Sequence, residues 1–306
     1  MKKPKNIEAS VRSRLLNLSR ANQEDFQLIL TRYALERILY RISLSDYSDD
    51  FIVKGAMLFS LWIPSIDLHR ATRDLDLLGR GEPSESRLEE IFRQICKTEG
   101  LEDGLILDPT SIVASPIRPQ EKYHGIRITM VAKLAGARIP VQIDIGFGDA
   151  VFPPAKLEKF PAMLAFEGAE LRAYRRETAI AEKYHAMVSR GLLNSRLKDY
   201  FDILILARNF TFEAEILWKA ISSAFEARGT SMGTETPIGL TPDFVDNAKV
   251  AQWRAFAAKN LSKEMASLEL SEVVESIQAF LWPLQQRAME DNLKGTWPPG
   301  GPWEFL

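Results

Sequence analysis

A single cysteine, Cys96, removes two classes of protein at once. No internal disulfide framework is possible, and no Cys-rich zinc or iron–sulfur site. Only three histidines are present, His69, His124 and His185, without ligand-like spacing. Asp and Glu must therefore supply most ligands of any metal site, which favours a hard ion such as Mg²⁺ or Mn²⁺. The apolar runs fall well short of the roughly 18 residues that mark a membrane span. The basic start, MKKPKNIEASVRSRLL, lacks the apolar core of roughly 7–15 residues found in a secretory signal. A cytoplasmic protein is expected. Missing too are the glycine signatures GxxxxGK[ST] and GxGxxG and a kinase-type Gly-rich loop. An excess of either charge is also lacking: 39 Lys and Arg stand against 41 Asp and Glu, a net charge of −2. That argues against non-specific coating of nucleic acid, although it leaves room for a local basic face.

What is present is ordinary globular composition, 46% hydrophobic and 26% charged over 306 residues. This is enough for one large domain or two ordinary ones. Two basic stretches stand out. Residues 1–20 carry Lys2, Lys3, Lys5, Arg12, Arg14 and Arg20 against Glu8. Residues 172–198 carry Arg172, Arg175, Arg176, Lys183, Arg190, Arg196 and Lys198 against Glu177 and Glu182. Either is equally a solvated surface.

Apolar residues at helical spacing predict an amphipathic helix with a polar back over residues 21–43. FIVKG reads as a short strand ending at Gly55, followed by a helix AMLFSLWI that Pro64 ends. RDLDLLG reads as a strand, and residues 84–98 as a surface helix bearing Cys96. Residues 105–148 change to short strands, the last two forming an antiparallel hairpin around Gly136 and Ala137. PPAKLEKFP reads as a connector, and no strand is expected after residue 168. Helices are expected at 169–190, 196–209, 212–227, 242–264 and 268–290, and the end, GTWPPGGPWEFL, reads as core or as an exposed arm. The fold class is therefore mixed α/β to about residue 160, then all-helical, divided as domains 1–160 and 161–306.

The chemistry concentrates in residues 54–79. On a strand, Asp74 and Asp76 point to one face about 6–7 Å apart. Two like charges there are costly without a compensating cation, and a divalent ion removes the cost. Asp-x-Asp alone is weak evidence, because Asp76 capping a turn and Asp74 pairing with Arg70 or Arg73 would explain it equally. Asp144 strengthens the reading. It stands between Ile143 and Ile145, where a lone carboxylate is expensive, and a strand laid beside Asp74 and Asp76 would bring three carboxylates together. Asp149 reads as an exposed turn residue. Gly55, at a strand-to-helix junction, lets backbone N–H groups approach phosphate oxygens.

Taken in order, KGA…RATRDLDLLG, VQIDIGFGD, AEKYHAMVSRG and RLKDYFDILIL resemble the AbiEii/AbiGii-type nucleotidyltransferase toxins, which share a polymerase-β-like core. The resemblance covers roughly residues 30–210. It implies an α/β nucleotidyltransferase core, a mixed β-sheet flanked by helices, with the helical region completing the nucleotide cleft. It implies a transferase that moves a nucleoside monophosphate from an NTP with release of pyrophosphate. Asp74, Asp76 and Asp144 match the metal-binding carboxylates for Mg²⁺ or Mn²⁺. Lys54, Gly55, Ala56, Thr72 and Lys183 match the nucleotide-binding positions, and Asp199 is expected to orient Lys183 or an arginine. Ala56 departs from the family pattern, in which Gly or Ser is usual. It keeps the backbone N–H but gives up glycine's freedom and serine's hydroxyl. Competing readings are a solvated Lys183 and an ordinary Lys198–Asp202 pair on one helix, whereas Tyr200, Ile203 and Leu204 are expected in the core. The resemblance further implies a toxin with a separate antitoxin partner and an RNA acceptor such as tRNA. The alternatives are a protein or small-molecule hydroxyl as acceptor, or an inactive interaction protein on the same scaffold.

Overall fold

The computed structural model describes residues 6–63, 73–98, 101–117, 125–261, 265–290 and 292–306. These fall into two compact units, one drawn from 6–63, 73–148 and 156–173, the other from 149–155 and 174–306.

In the first unit, alternating apolar and polar side chains build a seven-stranded mixed sheet. Its strands are β1 (Phe51–Lys54), β2 (Leu75–Gly79), β3 (Ile106–Ile117), β4 (Gly125–Leu134), β5 (Ala137–Gly146), β6 (Lys156–Lys159) and β7 (Glu170–Ala173), in the order β3-β4-β5-β2-β1-β7-β6. β2 runs parallel to β5 and β1 parallel to β7, while the remaining neighbours are antiparallel. The expected hairpin joins β4 to β5 through Ala135 and Gly136, at φ 45° and 80°. Positive φ at both positions gives a two-residue turn the twist that paired strands require. Val53, Leu75, Leu77, Ile126, Ile128, Ile143 and Ile145 are buried. Helices α1 (Ile7–Asn22), α2 (Phe26–Leu44), α3 (Leu58–Trp62) and α4 (Glu85–Cys96) complete the unit. α2 packs against β5 and β7, and α4 against β3.

Three expectations change here. The helix expected over 21–43 starts only at Phe26, because Gln23 adopts a left-handed backbone (φ 55°) and Asp25 caps α2 by accepting from the Leu28 N–H at 2.9 Å. Its polar back is buried: Glu36, Arg37 and Arg41 face the interior. Asp103 makes that tolerable, accepting from Arg37 Nε at 3.0 Å and from Arg41 Nη1 at 2.8 Å. Burial pushes the Asp103 carboxyl up, yet Arg41 and Arg37 outweigh it and hold it below its ordinary value. Finally, PPAKLEKFP is not merely a connector. Residues Lys156–Lys159 pair with Glu170–Ala173 at the sheet edge. Leu157 there is exposed, so no buried face marks the strand in sequence.

The second unit holds α5 (Arg176–Arg190), α6 (Leu197–Asn209), α7 (Ala214–Ala227), α8 (Asn247–Asn260) and α9 (Leu270–Met289). It is not all-helical. β8 (Phe212–Glu213), β9 (Gly295–Trp297) and β10 (Glu304–Phe305) form a three-stranded sheet in the order β10-β9-β8. Strands of two or three residues are too short to show alternation, and Phe212 pairs with distant Trp297. The terminal segment is no free arm. Trp297 Nε1 donates to the Ala207 carbonyl at 2.8 Å and Trp303 Nε1 to the Phe280 carbonyl at 2.7 Å. Trp253 and Trp297 are buried as core residues, and Phe256, Trp282 and Trp303 are half-buried.

Candidate active site

Strand register assembles the site in the first unit. Lys54 on β1 stands opposite Asp76 on β2, Asp76 opposite Asp144 on β5, and Asp144 opposite Arg127 on β4. Residues in register project to the same face of a sheet. Four neighbouring strands therefore carry a row of charges, Lys54–Asp76–Asp144–Arg127. Their neighbours along each strand, Val53, Leu75, Leu77, Ile143, Ile145, Ile126 and Ile128, fill the opposite, buried face.

Asp144 is not a lone carboxylate. Arg127 donates to it twice, Nε to Oδ1 and Nη2 to Oδ2, each at 2.8 Å. This fork-to-fork geometry is the strongest form of an Arg–carboxylate pair. Gln142 flanks the pair, its amide oxygen able to accept from Arg127 Nη2 at 3.1 Å. Asp74 stands in the bend just ahead of β2. Hydrogen bonding to Asp144 raises Arg127 above its ordinary value; desolvation opposes this, and the charges of Asp144, Asp74 and Asp76 add to it. Asp76 and Asp144 thus stand side by side, and the Arg127 guanidinium feels the charges of both and of Asp74. The sequence reading missed Arg127. Its signal was available, because Arg127 interrupts an apolar strand between Ile126 and Ile128 just as Asp144 does between Ile143 and Ile145.

Gly55 fits as closely as the junction requires. Its φ is +71°, and a side chain there would overlap the Asp76 carboxylate, with Asp76 Cγ 2.7 Å from the added Cβ. Only glycine satisfies both conditions. The helix beyond it is shorter than expected. Gly55–Met57 form a single 3-10 turn that includes Ala56, and α3 adds five residues. Phosphate contact there would rest on backbone N–H groups and little on a helix dipole. Thr72, Arg70, His69 and His124 lie outside the described residues.

Lys183 and Asp199 belong to the second unit. Lys183 on α5 is buried, with Nζ 3.1 Å from Asp199 Oδ1 and 2.6 Å from Asp202 Oδ2, both on α6. Arg196 Nε lies 2.6 Å from Asp199 Oδ2. Asp199 therefore holds both a lysine and an arginine, while Asp202 pairs with Lys183 across helices. Burial raises the Asp199 carboxyl, but Lys183 and Arg196 overcome it and lower it to about 2. Lys183 is therefore not a solvated lysine. Tyr200, Ile203 and Leu204 are core residues, as expected.

Asp149, expected as an exposed turn residue, pairs with Arg228 at 2.6 Å. The basic run 172–198 is partly neutralised in the same way. Arg172, Arg175, Lys183 and Arg196 each face a carboxylate.

A hard divalent ion suits the chemistry of the acidic face, because Asp74 and Asp76 offer only oxygen donors. Among the described residues no group of three or more His, Cys, Asp or Glu is gathered to hold a metal. The two oxygens of Asp144 are both engaged by Arg127. Asp74 and Asp76 therefore offer the oxygen donors such an ion takes, without a third acidic ligand gathered beside them among the described residues.

Asp76 and Asp144 on parallel neighbouring strands, with Gly55 closely approaching the Asp76 carboxylate, make this sheet face the protein's candidate site. The chain belongs to the AbiEii nucleotidyl transferase toxin family of Type IV toxin–antitoxin systems, whose family model matches residues 37–285. That span includes every described candidate residue. No curated protein sequence matches it. Among solved structures it is similar to JHP933 from Helicobacter pylori, at 15% identity and a TM-score of 0.46, over 87% of this chain and 98% of that one. It is also similar to a candidate nucleotidyltransferase from H. pylori, at 16% identity and a TM-score of 0.42, over 83% and 96%. Among the described residues no helix is long and apolar enough to cross a membrane.

Proposed function

We propose that this chain transfers a nucleoside monophosphate from an NTP to an RNA acceptor such as tRNA, releasing pyrophosphate, as the cytoplasmic toxin of a toxin–antitoxin pair. The observation that carries this reading is the in-register placement of Asp76 beside Asp144, with Asp74 in the bend just ahead of β2 and Gly55 close against the Asp76 carboxylate. Asp74 and Asp76 would hold Mg²⁺ or Mn²⁺. Bound there, such an ion supplies positive charge that offsets the phosphate oxygens as charge shifts to the leaving pyrophosphate. The chain's own part is positional. Asp76 is held in place by the close approach of Gly55, and the backbone N–H groups of Gly55 and Ala56 are available to phosphate oxygens. In the second unit, Asp199 and Asp202 fix Lys183 in one geometry. Membership of a Type IV family implies a cognate antitoxin, encoded separately.

Transfer of label from each α-labelled NTP, with Mg²⁺ or Mn²⁺, to total tRNA, protein and the enzyme itself tests the proposal. Label on tRNA that disappears in Asp76→Asn is the expected result. Label on protein alone would replace the acceptor, and no label from folded protein would favour an inactive scaffold. A tRNA complex should also weaken steeply with salt.

A further inference from the structure

An exposed apolar patch in the second unit stands on a turn anchored from its inner side. Gly191–Leu193 form a 3-10 turn between α5 and α6. Leu192 is 50% exposed, Leu193 89%, and Ile238, on the neighbouring turn Ile238–Leu240, 41%. Gly191 takes φ 49°, and a side chain added there would stand 3.2 Å from Ile238. Asn194 is fully buried. Its N–H donates to the Gly191 carbonyl at 3.1 Å, and its own carbonyl accepts from Lys249 Nζ at 2.5 Å. Three aliphatic side chains left in water bring no burial energy to the fold, and an apolar patch of this kind marks a contact surface.

The charges around the patch select its occupant. On the α5–α6 side, Arg196 and Lys198 are exposed. Lys198 is left to solvent because Asp202, four residues on, is taken up by Lys183. Arg196 bonds Asp199, which also holds Lys183, so the patch is continuous with the Lys183 cluster. Both aspartates are buried, and the accessible charge on this side is therefore positive. Exposed carboxylates, Glu235 and Asp243, occur in the chain on the Ile238 side. An apolar knob edged by cations complements a polyanion that also presents base faces, which is the chemistry of an unpaired RNA end. Resting on the RNA-acceptor reading above, we propose that this turn is an acceptor-binding surface. Leu192 and Leu193 pack against an unpaired base, as apolar wedges do in nucleic acids, while Lys198 and Arg196 meet the adjoining phosphates.

Titration of the full chain into 5′-fluorescein-labelled total tRNA, read by anisotropy between 50 and 200 mM salt, tests this without NTP or transfer. The double variant Leu192→Ser/Leu193→Ser should weaken binding about tenfold at every salt concentration, because an apolar contact releases no counterions. Lys198→Ala should instead lower the salt slope by about 1 and lose most at low salt. Wild-type affinity in the leucine variant overturns the proposal, and so does a loss that vanishes as salt rises. Sedimentation of the same samples tests the other occupant. If the leucine variant keeps its tRNA affinity but loses a dimer that the wild type forms, the patch belongs to a second copy of the chain. The two readings separate cleanly. A wild type that binds and labels tRNA beside a leucine variant that does both equally well leaves the RNA-acceptor reading standing and removes this surface. A wild type that does not bind tRNA removes both. Thermal unfolding confirms folding, and Leu193→Ser alone substitutes where the double variant is unfolded.

Discussion

Two of the protein's clusters of carboxylates and cations, one in each unit, differ chiefly in burial. In the first unit Arg127 and Asp144 pair on an accessible sheet face, with Asp74 and Asp76 close by. In the second, Asp199 and Asp202 are fully buried and Lys183 is only 10% exposed. The bonds are similar in length. What separates the clusters is the alternative open to each charge when its partner leaves. On the sheet face, water can replace the lost bonds. Between α5 and α6, where both aspartates are fully buried, water has little access. The same chemistry is therefore exchangeable in one place and structural in the other, and residues that look equivalent in sequence have different work.

Substitution at Lys183 presses hardest on this contrast. Lys183→Met removes the buried ammonium that faces both Asp199 and Asp202. A loss of about 3–5 kcal/mol in urea unfolding is expected. A loss below about 1 kcal/mol would show that the second cluster is as exchangeable as the first.

Acid should expose the same cluster by titration. The Asp199 carboxyl is lowered from 3.8 to about 2 in the folded protein. A depressed folded value contributes stability that is fully present above the unfolded value. That stability fades as pH falls from about 4 towards 2. The contribution is about 2 kcal/mol, and Asp199→Asn should flatten this part of the stability profile. An unchanged profile in the variant would remove Asp199 as its source.

On the sheet face, packing should matter more than pairing. Gly55→Ala places a Cβ against the Asp76 carboxylate at a backbone of φ +71°. A cost of about 1–3 kcal/mol is expected by chemical denaturation, together with loss of transfer as Asp76 is displaced. Wild-type transfer by a folded Gly55→Ala protein would show that the position of Asp76 is not critical. The smallest effect belongs to the accessible pair. Arg127→Met should change thermal stability by less than about 1 kcal/mol, against the several expected at Lys183. A larger loss would mean that the pair supports the fold and that the contrast is weaker than exposure suggests.

Much of the acidic face was legible because strand alternation has a period of two. Leu75 and Leu77 must face the core, which turns Asp76 to the other face, and Ile143 and Ile145 turn Asp144 out by the same logic; Asp74 falls just outside the strand, in the bend before it. The hairpin was legible for a related reason, since two alternating runs flank a short glycine turn. Arg127 was equally visible as a polar interruption, but its partner was not, because nothing in a single strand states the register of its neighbour. The buried arginines of α2 were misread as surface for a similar reason. Arg37 and Arg41 are polar by composition, and only Asp103, brought from another part of the chain, makes their burial tolerable. The small sheet of the second unit left almost no trace, as β8 and β10 have two residues each.

By itself, then, the sequence determined which strands carry Asp76 and Asp144, which face they occupy, and where glycine had to stand. These are consequences of local geometry, of alternation and of the steric limits on φ. Tertiary structure alone decided that Asp144 is answered by Arg127 and that Lys183 is locked between two aspartates. Both depend on which elements become neighbours and on how much water remains between them. The strength of a charge pair is set by that surrounding medium, which no stretch of sequence contains.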